Sequence, residues 1–421
     1  MTQEALDAAS GAALPATANE PMSDWISFRR LMWGESVSSF GLNLSLIAIP
    51  SYAVLHLNAS AAQVSAINIA QWAPPLILGL AAGKRADRLD RRRAMVAADL
   101  LAGIASLALA WLMWTQTLSL PLLYLVVFAI AGCGTFYALG SAALVPNLLA
   151  HAARGRGNSR LAAARALSDG AAQLLAARLV AVAAGALVVA LDALTYLFRA
   201  SLVGSIRSAP VHGIAGPAEP VDRRIGSTWA ILRRNPELLR LMGAQGTLNI
   251  GGAFILAYFY PYAYEVVGLE PFHIGVMLGL GHFSAFAGAF LLPTILVRRE
   301  IRSVAALALG SSAATVWLLP LAHGSNAFAL FLVYEALFSV STVLFGVAVT
   351  TRRQQLTPPD HQGRMSSFTV LFGYACLIAG GLLAVAATPL LEPRTGIVAG
   401  CVLSSLTLLW FIGPGHRRIG A

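Results

Sequence analysis

The chain has 421 residues, of which 57% are apolar and only 11% charged, with a formal net charge of +10. Soluble globular domains carry roughly a quarter of their residues as charges, so an ordinary soluble fold is excluded. Nucleic-acid binding, the usual reading of a basic chain, is excluded by position: 26 of the 29 Lys and Arg residues lie in the tails and in every second gap between long apolar runs.

A helix needs about 20 apolar residues to cross a bilayer. Runs of that length predict twelve segments in chain order: 30–56, 61–83, 94–115, 119–144, 161–183, 185–204, 239–263, 272–297, 303–321, 327–350, 366–388 and 394–412. The gap near Gly185 is very short, so the fifth and sixth segments are the least sharply divided. Basic gaps face the cytoplasm, which places both termini there and leaves Arg394 in a gap of the opposite set. The expected protein is an all-α, multi-pass integral membrane protein of a bacterial inner (plasma) membrane. Residues 1–28 read as a disordered cytoplasmic tail, 29–204 as an N-terminal six-helix bundle, 205–236 as a cytoplasmic linker, 237–412 as a C-terminal six-helix bundle and 413–421 as a second tail. Residues 1–22 lack the basic start and apolar core of a signal peptide. Within the linker, Ile225 to Arg234 reads as a short basic amphipathic helix on the inner surface. Cys133, Cys376 and Cys401 are isolated in apolar runs, so neither a metal site, another cofactor nor a disulfide framework is expected.

Two six-helix halves joined by one long linker are the arrangement of a secondary transporter. The segment Gly83 to Arg93 holds Asp87 among six cations. A carboxylate at the end of helix 2 can accept charge-assisted hydrogen bonds from arginines, and breaking such a cluster frees two helices to move. Gly83, Asp87, Arg88, Arg91 and Arg92 are therefore read as a cytoplasmic gate. The same cations also suit anionic lipid headgroups.

The motif Gly83-x-x-x-Asp87-Arg88-x-Asp90-Arg91-Arg92-Arg93 resembles the loop 2–3 signature of the major facilitator superfamily. More narrowly the chain resembles its enterobactin-exporter and macrolide-efflux branch. That likeness is carried by Phe28-Arg-Arg-Leu31, Ala97-Ala-Asp-Leu100, Asn158-Ser159 with Arg165, Leu191-Asp-Ala-Leu194, Arg234-Asn-Pro-Glu-Leu-Leu-Arg240 and the stretch from Arg353 to Arg364. The resemblance implies export of a small molecule, a siderophore or a drug, by proton antiport with alternating access. Three features depart from it. Asp90 stands where the superfamily usually has Gly, helix 4 has no Arg, and helix 5 reads Gln173-Leu-Leu-Ala-Ala-Arg178-Leu in place of a Gly-Pro-rich run. The last two favour an alternative, an importer or facilitator on the same scaffold.

Ionisable residues inside spans cost on the order of 3 kcal/mol each on insertion scales, so they mark function. Glu35 shares a helical face with Ser39 and Asn43, and Asp169 lies between Arg165 and Gln173 at the same spacing. An i,i+4 pair of Arg165 with Asp169 is available. Asp192 has Thr195, Tyr196 and Arg199 nearby, Glu335 aligns with Ser339 and Thr342, and Asp99 opens helix 3 as a structural acid. Glu35, Asp192, Glu335 and Asp169 are the proton-coupling candidates. Substrate-cavity candidates are Asn43, Asn68, Gln71, Gln245, Asn249, Tyr258, His282 and Phe286, which together suit a bulky amphipathic solute. Arg178 either attracts an anionic substrate group or snorkels outward.

An ATP engine is not indicated, because no Gly-x-x-x-x-Gly-Lys-Ser/Thr loop occurs. A membrane enzyme would need clustered His/Glu or Ser/His/Asp groups, and the eight histidines are scattered without a His-Glu-x-x-His motif. The expected partners are a small-molecule substrate, protons and membrane lipids, with no nucleic acid, and the monomer is expected to function alone. An accessibility reporter at residue 90 should label from the cytoplasm, and periplasmic labelling in intact cells would overturn the whole topology.

Overall fold

The computed structural model describes residues 24–81, 90–149, 151–182, 184–206, 228–229, 231–298, 300–358 and 361–412. Gly83, Asp87 and Arg88 lie outside these residues, as do both tails and most of the linker. The side chains of Arg91 and Arg178 also lie outside them. Among the described residues the chain forms twelve long helices. The first six are α1 (Trp25–Leu57), α2 (Ala61–Ala81), α3 (Arg91–Trp114), α4 (Leu120–Leu148), α5 (His151–Val182) and α6 (Ala184–Gly204). The second six are α7 (Pro236–Pro261), α8 (Pro271–Arg298), α9 (Ile301–Thr315), α10 (Ala327–Leu356), α11 (Gln362–Ala387) and α12 (Pro393–Ser405). They correspond one to one with the twelve apolar runs.

Polar caps outside the apolar runs set several helix starts. Asp24 accepts from the Ser27 amide at 2.9 Å, so α1 begins at Trp25 and residues 25–28 belong to the helix, not to the expected tail. Asp90 accepts from the Arg92 and Arg93 amides at 3.1 and 3.3 Å. The Asp that departs from the loop signature thus caps α3, satisfying amides that a helix start leaves free. At α7, Asn235 caps the Leu238 amide at 3.3 Å and Pro236 takes the first helical position. That is why Asn-Pro-Glu stands there.

Eight helices among the described residues are long and apolar enough to cross a membrane. The most polar of the twelve, α5, is not one of them. Large apolar side chains face outward, among them Leu101, Ile104, Trp111, Trp114, Leu125 and Leu307, each more than half exposed. Such a surface needs lipid as its solvent.

In the first half α6 packs on α1 and α3, and α4 packs on α2 and α3; in the second, α7 packs on α11 and α12, and α10 on α8 and α9. The halves meet chiefly through α5 with α8 and through α2 with α11. Adding six to each helix number converts one interface into the other, which is the signature of two repeats related by a pseudo-two-fold axis. Small residues let these helices approach. A Cβ at Gly279 of α8 would lie 2.6 Å from Leu174 of α5, and one at Gly381 of α11 would lie 3.0 Å from Ser65 of α2.

Call the end where α1 starts and α12 finishes the basic end. There Glu237 of α7 receives Arg302 of α9 at 2.5 Å and Arg352 of α10 at 2.6 Å, tying three helices of the second half. Burial alone would raise the Glu237 carboxyl, but the hydrogen bonds from Arg352 and Arg302 outweigh it and hold it below the ordinary carboxylate value of 4.5. A depressed carboxyl stabilises the fold above its unfolded-state value and loses that contribution as pH falls through the folded value. The stability difference between the native protein and Glu237→Gln, on the order of 1 kcal/mol for partly exposed pairs, should therefore be present at neutral pH. It should vanish on acidification below the ordinary Glu range. A difference unchanged across that range in thermal melts would show that the triad contributes no charge-dependent stability.

Candidate functional site

A cavity of about 1390 Å³ lies between the halves. Its N-half wall carries Glu35, Arg165, Asp169, Asp192 and Arg199, whereas the C-half wall is uncharged and includes Gln245, Asn249, Ser366, Ser367 and Thr369.

The charged wall is built by two parallel helices. Both α1 and α5 run away from the basic end, and each carries a polar stripe at four-residue spacing. The stripes meet rung by rung. Arg165 donates to Glu35, Ser39 donates to Asp169, and Gln173 Nε2 donates to Asn43 Oδ1 at 3.1 Å. Further bonds cross-link the rungs: Ser141 of α4 donates to Glu35, and Asn43 Nδ2 donates to Asp169 at 2.8 Å. The local pair expected between Arg165 and Asp169 does not form. Each group turns to α1, where a partner on a second helix also satisfies a side chain buried against it. Glu35, which has no cation one turn away on its own helix, obtains one from α5.

Asp192 of α6 accepts from Ser45 of α1 at 2.7 Å. This approach depends on Gly41, where a Cβ would lie 2.5 Å from the Asp192 carboxylate. Arg199, two turns beyond on α6, makes no ion pair with Asp192. Its guanidinium bonds Asp99 of α3 through two nitrogens, at 3.0 Å from Nε and 2.5 Å from Nη2, and lies 3.6 Å from the Tyr137 ring centroid. Asp99 is thus a buried structural acid, as expected. Arg92 of α3 donates to the Ile206 carbonyl at 2.5 Å, joining α3 and α6 at the basic end.

Other predicted residues distribute unevenly. Gln71, Gln245 and Asn249 line the cavity. Asn43 sits within the ladder. Asn68 is buried with its Nδ2 unpartnered and does not line the cavity. Tyr258 is wholly buried, with Gly396 of α12 against its ring and its hydroxyl 3.5 Å from the Ala384 carbonyl of α11, so it packs helices and does not line the central cavity. His282 bonds the Leu278 carbonyl of its own helix and lies beside Gly170 at the α5–α8 contact, while Phe286 is half exposed; neither lines the cavity. Their aromatic character marks lipid-facing and packing surfaces equally well. Ser45 and Gly41, which position Asp192, carried no sequence signal beyond the ordinary small residues of a membrane helix. Cys133, Cys376 and Cys401 are free.

All three hydrogen bonds that cross between the halves among the described residues lie at the end opposite the basic one. Ser51 of α1 and Tyr264 pair at 2.6 Å, Tyr260 of α7 donates to the Leu46 carbonyl at 3.3 Å, and Ser65 donates to the Gly381 carbonyl at 2.8 Å. Tyr264 stands on a π-helical turn, Tyr262–Val266, that continues α7. Among the described residues the halves thus close on each other at the end opposite the basic one.

Two six-helix halves around a cavity sealed at one end define a membrane transporter working on a small-molecule substrate. The chain belongs to the Major Facilitator Superfamily, which it matches over residues 31–381. Its fold is similar to that of the nucleoside transporter NupG, with a TM-score of 0.72 and 11% identity over 91% of this chain and 99% of that one. It is similar also to a bacterial homologue of the iron transporter ferroportin in its inward-facing state, with a TM-score of 0.70 and 18% identity over 93% of this chain and 99% of that one. A bacterial homologue of the human lysosomal transporter Spinster, inward-facing and unoccupied, gives 0.67 and 13% over 92% and 96%. Among curated proteins none matches the chain in sequence.

The sealed seam gives a direct test. In a background without native cysteines, Ser65→Cys with Gly381→Cys can be oxidised to cross-link α2 to α11. A third thiol at Ser367, exposed on the cavity wall, should then react with an impermeant reagent only from the basic end. Before oxidation it should react from both sides as the protein alternates. Labelling of the cross-linked protein from the opposite side would mean that the seam is not the barrier.

Proposed function

We propose that the protein exports a small amphipathic molecule, a siderophore or a drug, across a bacterial inner membrane by proton antiport. It is read as a member of the enterobactin-exporter and macrolide-efflux branch, working as a monomer by alternating access with both termini cytoplasmic. One observation carries the reading: Glu35, Asp169 and Asp192 face one cavity between the halves, and Glu335 lies in a chamber beside it.

A carboxylate held inside a membrane is tolerated where it faces water or a partner, and its charge then depends on which side the cavity meets. Protonation of Glu35 would remove the charge that holds Arg165, and protonation of Asp169 would weaken the bonds from Ser39 and Asn43. Either event loosens α1 from α5. The segments Gly83 to Arg93, with Asp87, Arg88, Arg91 and Arg92, are proposed as the gate that closes the basic end. Support comes from Arg92, which already joins α3 to the end of α6. The cavity's volume and its mixture of amide, hydroxyl and apolar wall suit a bulky amphipathic solute.

The test uses proteoliposomes with an imposed pH gradient and either a macrolide or a catecholate siderophore as cargo. The native protein should move one of them against its gradient. Glu35→Gln, Asp192→Asn and Glu335→Gln should each be tested, with at least one abolishing gradient-driven transport while leaving folded protein in the membrane. Normal transport by all three variants would refute the assignment of proton coupling to these acids. In cells, normal siderophore secretion and unchanged macrolide tolerance after gene deletion would count against both cargo classes.

A further inference from the structure

The second half holds a chamber of about 330 Å³ that shares Gln245, Asn249 and Leu377 with the central cavity. Its walls combine aliphatic side chains with five rings, those of Phe259, Tyr260, Tyr334, Phe338 and Phe345. Glu335 of α10 also lines it. Among the described residues this carboxylate has one hydrogen-bond donor, Ser339 of its own helix at 2.8 Å, and no ion-pair partner. The oxygen that accepts from Ser339 also lies against the backbone of α8, where a Cβ at Gly281 would collide with it.

The other acids around the central cavity differ in kind. Glu35 has Arg165 and Asp99 has Arg199, while Asp169 and Asp192 each accept from two side chains. Glu335 combines a single hydrogen-bond donor, no ion-pair partner, open volume and ring faces. A half-buried carboxylate without a cation is costly, and aromatic faces carry negative quadrupoles that attract cations without relieving that cost. The two features share one complement: a positively charged organic group.

We propose that this chamber is a subsite for an organic cation, the ammonium end of an amphipathic substrate, with Glu335 as its counter-ion. The chamber accommodates one aromatic or alkylammonium group, and the rest of the solute would lie in the larger cavity beyond Asn249. Tyr260, which lines the chamber, also bonds Leu46 across the sealed seam. A bound cation would therefore rest against the residue that helps close the far side. The inference takes its substrate route from the transport reading above, but its test does not.

Benzyltrimethylammonium, an aromatic cation that cannot deprotonate, is titrated calorimetrically into the full-length protein in detergent micelles. Saturable binding is expected, weakened about tenfold or more by Glu335→Gln and several-fold by Phe338→Leu, with partial retention in Glu335→Asp. Benzoate should not bind. Size-exclusion profiles verify folding, and if Glu335→Gln does not fold, Phe338→Leu and Glu335→Asp decide. The proposal is overturned by absence of saturable binding, by equal affinity in the variants, or by benzoate binding as well as the cation. Cation binding without gradient-driven export would sink the export reading alone, and export without cation binding would sink the subsite alone.

Discussion

The structure depends on the polar ladder between α1 and α5. In a bilayer, apolar contact between helices has no solvent-driven advantage over contact with lipid tails, so helix pairing relies on close packing and on hydrogen bonds. Three rungs at positions 35, 39 and 43 of one helix and 165, 169 and 173 of the other fix both the register and the rotation of the pair. A slip of one turn would place Glu35 opposite Asp169 and leave Arg165 without its partner. Such an error leaves a charge stranded away from water, which makes one alignment strongly preferred.

From that fixed pair the rest of the first half follows. The face of α1 next to the ladder bears Gly41 and Ser45, which admit α6 closely enough for Asp192 to be bonded. Further along α6, Arg199 is held by Asp99, so α3 is fixed to the same core. The second half is organised differently. Its helices meet through glycines, such as Gly251 against Ser404 and Gly380 against the Ile250 backbone, and through the Glu237 triad at the basic end. One half is thus keyed by buried charge and the other by close backbone packing. The cavity between them is charged on one wall and neutral on the other.

Much of this was legible in the sequence. Apolar run length marked all twelve helices, because a bilayer of fixed thickness imposes fixed lengths. The stripes Glu35-Ser39-Asn43 and Arg165-Asp169-Gln173 were visible as stripes, because four-residue spacing returns to one helical face. What could not be read was which stripe faced which. Spacing along one helix reports local neighbours, and so suggested Arg165 with Asp169, whereas the pairing is decided by a helix more than 120 residues away. The aromatic candidates lie away from the central cavity for a related reason. Tyr258, His282 and Phe286 have side chains that serve packing, lipid contact and ligand contact alike, and only the position of each ring within the fold separates these uses. Asp90 shows the reverse case: a departure from the family pattern acquired a plain meaning once its carboxylate was seen capping α3.

The altered helix 5 can be understood in the same terms. A Gly-Pro-rich run would let that helix bend, but α5 carries the ladder on one face and contacts α8, across the boundary between the halves, on another. A bend between positions 165 and 173 would break rungs that depend on an even rise of one turn per four residues. Leu174 also sits against Gly279 just beyond the last rung, so the same stretch of backbone supports both contacts. An unbroken α5 therefore binds α1 within its own half while touching the other, and the halves meet at the interfaces of α5 with α8 and of α2 with α11. There the approach of small residues, without buried charge, allows one helix to slide on the other at little cost.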